Sequence, residues 1–115
     1  MKPVTSIDVF EQLDIRAGRI VRAEDFPEAR KPAIKLWIDF GDELGVRQSS
    51  AQLTRRYSPD SLVDTMVLAI VNFPPRRIAG LESQVLVLGA VNPADPGDVV
   101  LVRPDDVDVR GWRLA

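Results

Sequence analysis

A small closed all-β barrel with Greek-key connections is the fold this sequence predicts, and three observations carry it. Residues 33–40 alternate between an apolar face and a mixed face, as a half-buried strand does. Gly41-Asp42-Glu43-Leu44-Gly45 then turns the chain back into a second extended segment, Val46 to Ala51. Three further apolar runs, Met66–Val71, Val85–Leu88 and Val99–Val102, are short, separated by turn residues and too brief for core helices. A single domain is expected at 115 residues, a size at which roughly 60–70% of the unfolded surface is buried.

The elements follow in chain order. Thr5-Ser6-Ile7-Asp8 carries a helix start with Thr5 as N-cap, and the helix runs one or two turns to Gln12. From Leu13 the chain reads as extended, with Ile15, Ala17, Ile20 and Val21 interleaved with Arg16, Arg19 and Arg22. The alternation slips at Gly18, which predicts a bulge there. Pro27 to Pro32 is a loop. In the next strand Ile34, Leu36, Ile38 and Phe40 share one face, while Ala33, Lys35, Trp37 and Asp39 share the other. A short helical segment over Gln52–Tyr57 is expected to stop at Ser58-Pro59-Asp60. The three apolar runs do not alternate, which predicts that both of their faces are covered. A domain with so few helices is expected to recruit a second copy of itself for this, as an isologous dimer. The competing reading is cover by the chain's own short helices. No internal repeat, low-complexity segment or second-domain linker is present.

Composition narrows the chemistry. With no cysteine and no histidine, a disulfide framework, a Cys/His zinc site, a thiolate nucleophile and an imidazole base are all excluded. A catalyst would have to be assembled from carboxylates, hydroxyls, Lys2, Lys31, Lys35 and Tyr57. The expectation is therefore a binding protein, not an enzyme, with no metal and no cofactor. Charged residues make up 28% of the chain at a net charge of −2, which argues against disorder and against a strong single-sign field. Residues 1–90 hold 12 basic and 12 acidic side chains, so the excess acidity lies in residues 91–115. That balance speaks against a simple nucleic-acid binder, whose domain is usually strongly basic. No stretch approaches the roughly 20 apolar residues of a membrane span, and Met1 to Thr5 has no signal-peptide core. A cytoplasmic protein without membrane insertion is the expectation.

Three segments carry candidate function. In Val71 to Gln84, Pro74-Pro75 stiffens the exit from an apolar strand, Arg76-Arg77 presents two forked cations and Gly80 lets the chain turn back. A rigid loop bearing two guanidiniums suits phosphate or carboxylate recognition; a solvated loop with its arginines paired to Glu82 or Asp64 is the plain alternative. Gln48-Ser49-Ser50-Ala51-Gln52 places short hydrogen-bonding groups at a strand end, fit either for a ligand backbone or for turn and cap duty. Trp37, beside Lys35 on the mixed strand face, is a stacking or apolar anchor, or part of a dimer interface. Asp42-Glu43 and Asp105-Asp106 read as turn residues, not as catalytic pairs.

Taken together, Leu13-Asp14-Ile15-Arg16-Ala17-Gly18-Arg19-Ile20, Phe26-Pro27-Glu28-Ala29-Arg30, Gln48-Ser49-Ser50-Ala51 and Asn72 to Gln84 resemble, in order and spacing, the tRNA-binding domain family. That family is an OB-fold module appended to methionyl-tRNA synthetases and found in tRNA-associated cofactors. Pro32-Ala33-Ile34-Lys35-Leu36, Ile38-Asp39-Phe40-Gly41, Gln48 to Gln52 and Val71 to Gly80 are similar to its freestanding CsaA branch of export-related chaperones. The resemblance implies a five-stranded OB-fold barrel with a core over about residues 10–102. It also implies a homodimer whose interface is formed by the N- and C-terminal segments.

The clients so implied are unfolded or preprotein polypeptides, with the export machinery as a further partner and tRNA as the alternative ligand. The family's ligand surface falls here on Lys35, Trp37, Gln48, Ser49, Ser50, Gln52, Asn72, Arg76, Arg77, Ser83 and Gln84, to which an apolar-groove reading adds Phe73 and Leu86. Where the tRNA-binding relatives carry leucine and lysine, this chain has Phe73 and Pro74, and its arginines come later. The departure makes the surface more apolar and favours peptide over tRNA.

Overall fold

In the computed structural model, which describes residues 1–115, the architecture is organised by β1 (Ile15–Asp25), a bent strand long enough to serve two partners. Its first half pairs antiparallel with β4 (Met66–Ile70), from Ile15 opposite Ile70 to Arg19 opposite Met66. Its second half pairs antiparallel with β2 (Ile34–Asp39), from Arg19 opposite Asp39 to Asp25 opposite Ile34. Strand β3 (Val46–Ala51) pairs with β2, placing Gln48 opposite Trp37 and Ser50 opposite Lys35. Hairpin β5 (Arg76–Ile78) and β6 (Leu81–Ser83) follows β4, and the chain then enters β7 (Leu86–Val87) beside β4. The five-stranded order is β3-β2-β1-β4-β7, with a last hairpin of β8 (Gly89–Asn92) and β9 (Asp95–Leu101). This is the all-β, nearly closed barrel the sequence predicts.

The alternation in β2 lands as expected. Ile34, Leu36, Ile38 and Phe40 are all buried in one core with Ile20, Leu62, Val67 and Val85, and each such side chain contributes about 1.5–3 kcal/mol through apolar burial. Other expectations are corrected. The bulge in β1 falls at Val21, between the Ile20–Ile38 and Arg22–Trp37 pairs, and not at Gly18. Gly18 answers to close packing: a Cβ there would lie 2.5 Å from Ile38 Cγ2 and 2.8 Å from the Phe40 ring.

The first helix, α1 (Ile7–Glu11), is capped at Ser6 and not Thr5, and without a side-chain hydrogen bond. Residues 52–57 form no helix, only a turn in which the Tyr57 N–H donates to Leu53 O at 3.1 Å. The helix comes after the proline. In α2 (Pro59–Leu62), Ser58 is the N-cap in a reciprocal capping box with Ser61, and Pro59 sits in the first turn, where its missing N–H costs nothing.

Both faces of β4 are buried, as its continuous apolar run implies, but its own chain covers them. Val67 and Ala69 enter the barrel core, whereas Met66, Leu68 and Ile70 join Ile15 and Ala17 against Phe10, Leu13, Leu88, Val109 and Leu114. The C-terminal segment is held along the free edge of β1. The Gly111 N–H donates to Ala17 O at 2.8 Å, the Ala17 N–H to Trp112 O at 3.0 Å and the Leu114 N–H to Ile15 O at 2.9 Å. Arg16 fastens it further, bonded to Asp14 and Glu43 and donating to Gly111 O at 3.2 Å. The second copy expected over β4 is therefore not needed there. The third apolar run alternates in the fold, with Leu101 buried and Val100 and Val102 exposed.

Candidate functional site

The end strands of the sheet, β3 and β7, close the barrel against each other. Successive antiparallel pairings make them run parallel, and parallel neighbours of this length form few ladder bonds. At the start of the seam, side chains supply the missing bonds. The Gln84 N–H donates to Gln48 O at 2.8 Å, and the Gln48 N–H donates to Gln84 Oε1 at 2.9 Å. The Ser49 hydroxyl donates to Val85 O at 2.8 Å, and the Ser50 N–H donates to Ser83 Oγ at 3.2 Å. Ser49 is 1% exposed, so its hydroxyl is committed to closure and is not presented to a ligand. The Ser83 hydroxyl and the Gln84 side-chain oxygen are committed in the same way.

Beyond Ser50 the seam opens. The Leu53 N–H donates to Ala51 O at 3.0 Å, a tight turn that ends β3. The gap is a cleft of about 780 Å³. Ser50, Ala51, Gln52 and Leu53 form one wall, and Leu86, Val87, Leu88 and Gly89 form the other. Val99 closes the floor, Ile78 and Ala79 come from the β5–β6 turn, and Glu28 to Lys31 come from the β1–β2 loop. That turn is a two-residue hairpin with Ala79 and Gly80 both at positive φ, the geometry that matches the twist of paired strands. It holds Arg76 and Arg77 on the same cleft as Arg30 and Lys31, with Glu28 the lone carboxylate among the lining residues.

Of the residues singled out from the sequence, the cleft gathers Ser50, Gln52, Arg76, Arg77 and Leu86. Lys35, Trp37 and the Gln48 side chain share the outer sheet face instead, where Arg22 stacks over the Trp37 ring at 4.4 Å and Lys35 lies over Phe26 at 4.9 Å. The two sets adjoin through the Lys35–Ser50 pair. Asn72 does structural work: it accepts from the Asp14 N–H at 2.8 Å and donates to Gln12 O at 2.9 Å, tying the start of β1 to the end of β4. Phe73 is 43% exposed and lies outside the cleft lining. Sequence reasoning missed Arg30 and Lys31, although a basic pair between Pro27 and Pro32 was a usable signal.

The titrating groups whose affinity for protons moves all sit in ion pairs away from the cleft. Asp98 is pulled down to about 2 by hydrogen bonds from Arg56 and then Asn92. Asp108 is lowered by hydrogen bonds from Arg110, and the Arg110, Arg56 and Arg16 guanidiniums are raised by their bonds to Asp108, Asp98 and Asp14. The Arg56–Asp98 pair fastens the β8–β9 hairpin, and Arg110 and Asp108 fasten the C-terminal segment through Asp39 and Arg19. No group of three or more His, Cys, Asp or Glu side chains is placed to hold a metal ion, and no helix is long and apolar enough to cross a membrane. What the cleft offers is apolar surface, strand edges and cations.

Comparison with known proteins fits this geometry. The family described as "Putative tRNA binding domain" matches residues 15–111. A methionine–tRNA ligase of Archaeoglobus fulgidus is 36% identical over 113 residues, covering 98% of this chain but only 16% of the ligase's own length. Among solved structures, chaperone CsaA from Bacillus anthracis str. Ames is 50% identical with a TM-score of 0.91, over 98% of this chain and 100% of that one. The CsaA chaperone of Picrophilus torridus is 43% identical with a TM-score of 0.88, over 97% and 100%.

Proposed function

The chain belongs to the tRNA-binding domain family, and we propose that it works as a non-catalytic chaperone that holds unfolded or preprotein polypeptide in the cleft between β3 and β7. The observation that carries this reading is the lining: leucine, valine, isoleucine and alanine side chains make up most of the cleft wall, and the cations flank them. Apolar burial drives such binding and is little screened by salt. Similarity to two proteins named as CsaA chaperones supports it. The proposal places the protein in the cytoplasm, as a homodimer, with preproteins bound for export among its clients. Exposed Ile7, Val9, Val107 and Trp112 on the terminal segments support the dimer. Light scattering at micromolar concentration tests that part, and a monomer would contradict it. Calorimetric titration with an apolar signal-type peptide at low and high salt tests the binding: comparable heat in both is expected, and no heat in either ends the reading.

A second reading, tRNA binding, is favoured by one feature of the cleft: Arg30, Lys31, Arg76 and Arg77 against Glu28, a spacing of cations able to neutralise phosphates. The family's description supports it. A tRNA gel shift that weakens steeply with salt, and less steeply after Arg76→Ala/Arg77→Ala, is its expected signature. Absence of a complex at low salt excludes it.

A further inference from the structure

The hydrogen-bond pattern of the seam says how a polypeptide would be held there. Strand β7 is paired on one edge only within the five-stranded sheet. The Leu88 N–H donates to Leu68 O at 2.9 Å, and Leu86 stands opposite Ile70. In an antiparallel ladder the residues that bond to the neighbour alternate with those that face away. Leu86 and the Leu88 N–H therefore bond towards β4, the Leu88 carbonyl accepts from the Val102 N–H at 3.3 Å, and the peptide groups of Val87 point into the cleft. Across the gap, the Gln48 and Ser50 N–H groups both point away from β2, towards Gln84 and Ser83, which turns the Ser50 carbonyl towards the cleft as well. Strand edges of this kind accept an added strand.

We infer that the cleft takes its client as an extended segment added along β7, with main-chain bonds to the N–H and C=O of Val87 and a further bond to the Ser50 carbonyl. This deepens the chaperone reading and rests on it. Main-chain bonding selects backbone, not side chains, which gives the sequence tolerance a chaperone needs. Alternate side chains of an added strand point to opposite faces: one set lies on the barrel face with Val87 and Val99, and the other lies beside Leu86 on the outer face. The charge of the rim completes the specification. With Arg30, Lys31, Arg76 and Arg77 opposed by Glu28 alone, the preferred client segment is extended, apolar at alternate positions and acidic at its flanks.

The test uses the full-length protein and varies only the peptide, so folding of the protein is not at issue. A fluorescein-labelled eight-residue peptide of alternating leucine and serine with glutamate at both ends is titrated by anisotropy. It is compared with two analogues N-methylated at alternate positions, one on each edge of the peptide, and with an arginine-flanked analogue. The analogue methylated on the edge that faces β7 is expected to bind about ten-fold more weakly or worse, from lost main-chain bonds, and the analogue methylated on the opposite edge, which loses only the bond to the Ser50 carbonyl, a few-fold more weakly. The arginine-flanked peptide is expected to bind several-fold more weakly at low salt. Equal affinity of both N-methylated analogues and the parent overturns strand addition while leaving peptide binding in place. No binding of the parent peptide overturns the chaperone reading and the inference with it.

Discussion

The two ends of the β3–β7 seam are built from neighbouring residues of the same strands and do opposite things. At the closed end, the Gln48 main chain, the Ser49 and Ser83 hydroxyls and the Gln84 side-chain oxygen are bonded across the seam, and Ser49 is buried. At the open end, a few residues further on, the strands part, Leu86 is 47% exposed and cations collect with one carboxylate. The difference comes from the turn at Ala51–Leu53, which ends β3 and leads the chain away from the seam. A barrel that closes by side chains at one end is free to leave main-chain groups unpaired at the other.

Substitutions that act on one end only sharpen this contrast. The largest effect is expected for Ser49→Ala, which leaves the buried Val85 carbonyl without its donor and costs about 1–3 kcal/mol of stability. Urea denaturation measures it, and peptide affinity of the folded protein should not change; lower affinity at unchanged stability would place the closed end in the binding site. At the open end, Leu86→Ser is expected to change stability by no more than about 0.5 kcal/mol and to weaken apolar peptide binding about ten-fold, read by calorimetry. Arg76→Ala/Arg77→Ala is expected to weaken an acidic-flanked peptide several-fold at low salt, with the difference shrinking as salt rises.

The smallest effect concerns the hairpin that carries Val99. Asp98 is held at about 2 in the folded protein against an ordinary 3.8 by Arg56. A carboxylate whose folded value is lowered stabilises the fold above its unfolded value and loses that contribution as pH falls towards the folded one. The Asp98 contribution is thus complete above about pH 4 and is lost on approach to pH 2. Denaturation midpoints of Asp98→Asn should show a flatter pH dependence across that window than the parent protein, and parallel curves would contradict the assignment.

Much of this fold is legible in the sequence where one periodicity dominates. Strand β2 is read correctly because Ile34, Leu36, Ile38 and Phe40 alternate without interruption. Gly18 is misread because a slipped alternation and a glycine look the same whether the cause is an extra residue or a side chain pressing on the backbone; only the position of Phe40 distinguishes them. Pro59 is misread because a proline that stops one helix and a proline that starts the next are the same residue, and the capping serines decide. The run Met66–Ile70 correctly announces two covered faces, but periodicity carries no information on what covers them. Of the candidate residues, Arg76, Arg77, Ser50, Gln52 and Leu86, picked out by the residue types of two segments, line one cleft in the fold. Ser49, Ser83 and Gln84 look like ligand groups because closure of a barrel and recognition of a backbone call on the same short polar side chains. Arg30 and Lys31 form a basic pair visible between Pro27 and Pro32, but their place on the cleft follows only from the fold of the β1–β2 loop.

Amide chemical-shift mapping of the 15N-labelled protein with the glutamate-flanked leucine–serine peptide tests most directly whether the open end of the seam is the binding site. The expected result is a set of shifts confined to Val87 and its neighbours, Ser50, Gln52 and the Arg76–Arg77 hairpin, with the Gln48–Gln84 pair unmoved. Shifts confined to the Arg22–Trp37–Lys35 face, with the Val87 amide unchanged at saturation, would contradict it.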